Sequence, residues 1–151
     1  MGNSLDQVVL LLAEDDDDDY FITVDALKEI GLDQCVRRVK DGEDLMNYLL
    51  HNPPYESPDS SPVPDLIFLD LNMPKKDGRE ALKEIKANES LKKIPIIIFT
   101  TSNSPDDIAS TYKYGANSYI QKPDSFDQFI SLFQTVQNYW LDKVKLPTSK
   151  N

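Results

Sequence analysis

The chain has 151 residues, 40% of them hydrophobic and 28% charged, which fits one soluble globular domain and leaves little room for a second. Its 26 acidic against 16 basic residues give a formal net charge of -10. That balance argues against a nucleic-acid ligand, because phosphate backbones are held by Lys and Arg, and it suits a basic protein partner or a divalent cation.

The opening MGNSLDQ lacks the charged and apolar regions of an export signal, and Asp6 stands where a myristoylation signal after Gly2 has Ser or Thr. VVLLLA (8–13) is short, continuously apolar and rich in branched residues, as in a strand buried on both faces. Six carboxylates follow without interruption, Glu14 to Asp19. Asp16 to Asp18 can cap a helix whose period runs through Tyr20, Val24 and Leu27 to a stop at Gly31. QCVRRVK reads as a second, less buried strand, and DGEDLMNYLL as a turn and then a helix. Residues 51–64 hold five prolines and form a surface insertion without regular structure. DLIFLDL (65–71) is a third buried strand, followed by the loop NMPKKDG and the helix REALKEIKAN. IPIIIFTT (94–101) is the fourth strand, after which Ser104, Pro105 and Asp107 open a helix with a cap hydroxyl, a preset φ and an acid. SYIQKP supplies a fifth strand and SFDQFISLFQTVQNYWL (125–141) a closing amphipathic helix.

Cys35 is the only cysteine, so no internal disulfide can form, and no apolar run approaches the ~18 residues of a membrane span. We expect a cytoplasmic protein that engages no membrane. Strands alternating with helices, without long polar alternation in the strands, predict an α/β doubly wound five-stranded parallel sheet as the simplest topology. If its order is 2-1-3-4-5, strands one and three are neighbours.

Ligands of such sheets bind at the carboxyl ends of the strands, where the order reverses. Those ends carry Glu14 and Asp15, Asp70 with Asn72 just beyond, Thr100 and Thr101, and Lys122. Each has a plain alternative: Asp70 a helix cap, Thr100 strand filler, Lys122 a surface lysine, Asn72 a turn former. Their joint occurrence is what counts. Glu14, Asp15 and Asp70 would crowd in one cleft and repel unless a cation or proton sits between them, and Mg²⁺ is the hard, oxygen-seeking ion that fits. The other four acids of the run are expected to cap a helix or face water.

LLLAEDD, LIFLDLNMPKKDG, IIIFTTS and YGANSYIQKP, in this order and spacing, resemble the receiver domain of the bacterial two-component response regulators over roughly residues 7 to 141. Residues 142–151 would then be a short tail, too short for an output domain. The resemblance implies a flavodoxin-like receiver fold in which Asp70 accepts a phosphoryl group from a sensor histidine kinase or a phosphotransfer protein. It implies Mg²⁺, or Mn²⁺ in its place, held by Asp15, Asp70 and the main-chain carbonyl of Asn72, with Glu14 acting through water. Thr100 and Lys122 would contact the phosphoryl group, Thr100 and Tyr119 would form the switch, and Asn72 and Ser102 would tune the lifetime. The only reaction catalysed would be the protein's own phosphorylation and dephosphorylation. Two departures are Asp124, where an apolar residue commonly follows KP, and the long acidic run.

The insertion and the ending NYWLDKVKLP are similar to the single-domain regulators paired with bacterial phytochromes, which implies a phytochrome-like kinase. Output would pass by contact to a downstream protein. Leu132 and Tyr139 widen the apolar stripe of the closing helix and imply a homodimer there. His51, the single histidine, lies beside the insertion and away from any kinase-like helix, so the donor histidine belongs to another chain.

Three other readings compete. A haloacid-dehalogenase-type phosphatase needs a second acid where Asn72 stands. A flavodoxin-like FMN binder needs a phosphate loop where the carboxylates stand, and the five glycines form no G-x-G cluster. A phosphorylation-independent interaction module would not need the intact set Asp15, Asp70, Thr100 and Lys122.

Overall fold

Strands and helices alternate along residues 8–147, the part of the chain that this computed structural model describes. Residues 1–7, with the expectation of no export or lipidation signal, and residues 148–151 of the expected tail lie outside the described residues. The strands are β1 (Leu10–Ala13), β2 (Val36–Val39), β3 (Leu66–Leu69), β4 (Ile96–Thr100) and β5 (Ser118–Gln121). They form one parallel sheet in the order β2-β1-β3-β4-β5, as expected of a receiver fold.

The helices are α1 (Asp17–Glu29), α2 (Gly42–Leu50), α3 (Gly78–Ala87), α4 (Pro105–Lys113) and α5 (Phe126–Val136). Each opens on a short polar side chain that accepts a backbone N–H in the first turn: Asp16, Asp41, Asp77, Ser104 and Ser125 respectively. Such caps satisfy N–H groups that the helix itself leaves unpaired. The predicted stop at Gly31 stands, with φ at +77° and the Leu32 N–H donating back to Leu27 at 2.9 Å.

Side chains alternate across the sheet, so each buried strand feeds two cores. Leu11, Ala13, Ile67, Leu69, Ile96 and Ile98 pack with α2 and α3 on one face. Leu10, Leu12, Leu66, Phe68, Ile97 and Phe99 pack with α1 and α5 on the other. There Phe68, Phe99, Phe129 and Phe133 make edge-on ring contacts with centroids 5.4 to 6.0 Å apart. This rigid aromatic layer lies under the strand ends. Among the described residues no helix is long and apolar enough to cross a membrane.

One expectation needs correction. The closing helix does not run unbroken to residue 141: α5 ends at Val136 and a π turn takes over at Gln137–Leu141. A π turn holds more than 3.6 residues, so the phase of the apolar stripe shifts beyond Val136. Tyr139 is left 57% exposed, while Leu132 and Trp140 stay half-buried against the core. The proline-rich stretch has no helix or strand, as expected, yet it is tied down. The Tyr48 hydroxyl donates to Pro62 O at 2.7 Å, Tyr55 donates to Asp44 at 2.6 Å, and Ser61 and Pro64 are buried.

Candidate functional site

The register decides which side chains meet. Ala13 pairs with Leu69, so the chain emerges from β1 and β3 with Glu14 beside Asp70. Both share parity with Leu12 and Phe68 and therefore point to the face covered by α1 and α5. Backbone bonds extend past the strands, from Asp70 N to Ala13 O at 3.2 Å and from Lys122 N to Thr100 O at 2.7 Å. Asp70, Thr100 and Lys122 are thus fixed by the sheet rather than by loops.

Asp70 is only 6% exposed. Its Oδ1 accepts from the Thr100 hydroxyl at 2.8 Å and the Asn72 N–H at 3.2 Å, and its Oδ2 from the Lys122 ammonium at 2.8 Å. Lys122 Nζ also lies 2.6 Å from Glu14 Oε1 and 2.6 Å from Asp19 Oδ2. An ammonium has three donors, and here each has a carboxylate. Burial works against the charge on Lys122, but hydrogen bonds to Asp19, Asp70 and Glu14 outweigh it and hold the group above the ordinary lysine range. Burial also pushes the Glu14 carboxyl up to about 7, against the pull of Lys122.

Glu14, Asp15 and Asp70 each offer an oxygen, all within 4.8 Å of one another. Glu14, Asp19 and Asp70 set three carboxylates against one ammonium, and Asp15 has no cationic partner among the described residues. Surplus negative charge and an all-oxygen donor set fit a hard divalent cation. The loop after β3 lies close against the start of α3. A Cβ on Gly78 would stand 2.1 Å from Asp70 O and 2.8 Å from Leu71 Cα, so only glycine lets the start of α3 press on the loop.

The remaining predicted residues lie around this centre. Asn72 is exposed beside Asp70, and the Tyr119 hydroxyl donates to Ser102 O at 2.9 Å. The Ser102 hydroxyl does not stand free, since it donates to Asp107 at 2.7 Å. Asp107 in turn receives both Nε and Nη2 of Arg79, at 2.9 and 2.8 Å, which joins the start of α4 to the start of α3.

The acidic run is more divided than the sequence reading had it. Asp16 caps α1, Asp17 pairs with Arg38 at 2.8 Å, and Asp18 is exposed. Asp19, expected to face water, instead reaches Lys122, because it continues the inward stripe of Thr23, Ala26 and Leu27 by one turn. That stripe was the available signal. Six consecutive carboxylates offered no contrast by which to place the cap and hence the phase.

The comparisons agree with this geometry. The family model of the response regulator receiver domain matches residues 10–134. The response regulator Rcp1 of Synechocystis is 39% identical over 125 residues, covering 83% of each chain. The phosphorylated cyanobacterial phytochrome response regulator RcpA superposes with a TM-score of 0.85 at 37% identity, covering 93% of this chain and 99% of that one. The Mn²⁺-bound form of Rcp1 gives 0.83 at 39% identity, with the same coverage. Sheet order, strand-end residues and relatives converge, and the chain belongs to the response regulator receiver domain family of two-component signalling.

Proposed function

We propose that Asp70 accepts a phosphoryl group from a phosphohistidine of a sensor histidine kinase or a phosphotransfer protein. One observation carries this reading: a buried carboxylate whose two oxygens are held separately, by the Thr100 hydroxyl and the Lys122 ammonium, next to two further acids. An Asp70 oxygen forms the new bond to phosphorus as the donor P–N bond breaks, and the electron pair stays on the donor imidazole nitrogen. Lys122 sets a fixed positive charge against the phosphoryl oxygens, in a site dry enough for that charge to count. Glu14, Asp15, Asp70 and the main-chain carbonyl of Asn72 are the groups that would hold Mg²⁺, or Mn²⁺. When bound, the ion neutralises charge on the nucleophile and the incoming phosphoryl group. The Mn²⁺-bound form of Rcp1 supports this choice.

Thr100 then turns its hydroxyl from Asp70 to a phosphoryl oxygen and draws the following loop inward. Tyr119 is bonded to that loop through Ser102 O and moves with it, a two-state element biased by a local charge change. Water attack on phosphorus returns the Asp70 carboxylate and inorganic phosphate, with Asn72 and Ser102 tuning the rate. The receiver domain spans 7–141, with 51–64 as its insertion and 142–151 as a tail. Similarity to RcpA, described as a phytochrome response regulator, supports a phytochrome-like kinase as donor. Output passes to a downstream protein partner and through a homodimer around Leu132 and Tyr139. Exposed Tyr139 beside the groove of Ile120, Leu132 and Trp140 supports that surface.

Phosphoramidate with Mg²⁺, followed by intact mass, tests the reading. Wild type should gain one phosphoryl group and Asp70→Asn none. A gain that persists in the variant overturns the assignment. No gain in wild type favours a phosphorylation-independent interaction module.

A further inference from the structure

Asp19 touches the proposed machinery yet has no part in the reaction as described. We propose that Asp19 is the releasable counter-ion of Lys122: it holds the ammonium in the unphosphorylated protein and gives it up to a phosphoryl oxygen. The proposal rests on Asp70 being the acceptor.

All three donors of Lys122 are taken, by Glu14, Asp19 and Asp70, so a phosphoryl oxygen can be served only if one carboxylate lets go. The three are not equal. The side chains of Glu14 and Asp70 are 2% and 8% exposed, whereas that of Asp19 is 35% exposed. Released before a divalent ion binds, Glu14 or Asp70 would be left as an uncompensated buried charge, which costs far more than the pair itself contributes. Released Asp19 meets water instead. It also sits at the third position of α1, where the positive end of the helix dipole favours a carboxylate.

The contact is built, not incidental. The Asp16 side chain accepts the Asp19 N–H at 3.0 Å and the Thr23 hydroxyl donates to Asp19 O at 2.8 Å, which fixes the backbone that aims the side chain. Asp19 therefore competes with the phosphoryl group for Lys122, and it should slow phosphorylation and shorten the acyl phosphate lifetime.

The test is a time course of mass gain with phosphoramidate and Mg²⁺, then of decay after donor removal. It compares wild type, Asp19→Asn, Asp18→Asn and Asp70→Asn. Asp19→Asn should gain mass about fivefold faster and lose it about fivefold more slowly, the scale of one partly exposed ion pair. Asp18→Asn removes the same charge from the same turn without touching Lys122 and should match wild type. Equal rates for Asp19→Asn and wild type overturn the proposal. So does an Asp18→Asn effect as large as that of Asp19→Asn, which would mean bulk charge alone. Mass gain in Asp70→Asn, or none in wild type, strikes the reading of Asp70. The tether is then judged by NMR on ¹⁵N-lysine protein: Lys122 ammonium protons must exchange faster with water in Asp19→Asn. Unchanged exchange overturns it.

Discussion

At the scale of single residues, the roles of the acids follow from where each backbone atom leaves regular structure. Glu14 and Asp70 leave strands and point into a dry cleft. Asp15 lies one residue further, exposed but within reach of both. Asp15 should therefore be a metal ligand that can be removed without leaving a buried gap. We expect Asp15→Asn to weaken Mg²⁺ or Mn²⁺ binding by on the order of tenfold or more, since affinity for a hard cation scales with ligand charge. Asp18→Asn should leave it unchanged. Calorimetric titration of the two variants checks this, and equal losses would mean that the ion is held diffusely along the run.

At the scale of elements, the Arg79–Asp107 pair joins the first turns of α3 and α4, and Asp107 also accepts from Ser102 in the loop after β4. The loop that carries the proposed switch is thereby tied to α3, which packs on the same core that Tyr119 lies against. The Arg79 and Ser102 hydrogen bonds hold the Asp107 carboxyl below its ordinary range. A depressed carboxyl pKa means stability that is present above the unfolded value of 3.8 and lost as pH falls through the folded one. Asp107→Asn should cost about 1 kcal/mol at neutral pH, the scale of a bidentate, partly exposed pair. The cost should shrink below about pH 4, where wild type loses the same interaction. Urea unfolding at two pH values measures both. A cost that persists in acid would assign the loss to packing instead.

At the scale of the whole molecule, β5 is an edge strand only half covered, and beside it lies a groove of about 440 Å³ lined by Ile120, Leu132 and Trp140. With Tyr139 exposed at its rim, this is the surface on which the proposed homodimer rests. A two-fold axis would bring the patch onto its own copy. Light scattering during size exclusion at tens of micromolar should show a dimer, tightened by phosphoryl donor. Leu132→Glu with Tyr139→Glu should return it to monomer. A dimer that survives both changes uses another surface.

Hydrophobic runs and punctuation were enough to determine the parallel sheet and most helix starts, while its strand order came with the resemblance to receiver domains. Continuous apolar strands can be buried only between two helical layers, and short polar residues announce caps wherever their neighbours differ from them. Asp70 and Thr100 were legible for the same reason, each being a polar residue at the end of an apolar run. Lys122, which follows Gln121, was legible only from its place after the last strand. Three things were decided only by the fold. Asp19 reaches Lys122 across 103 residues because the Asp16 cap sets the phase of α1, and uniform acids conceal where that cap falls. The π turn after Val136 depends on the carbonyl each N–H finds, and residue type does not specify that choice. The Arg79 guanidinium reaches Asp107 because α3 comes beside α4, a meeting of surfaces that no local pattern encodes.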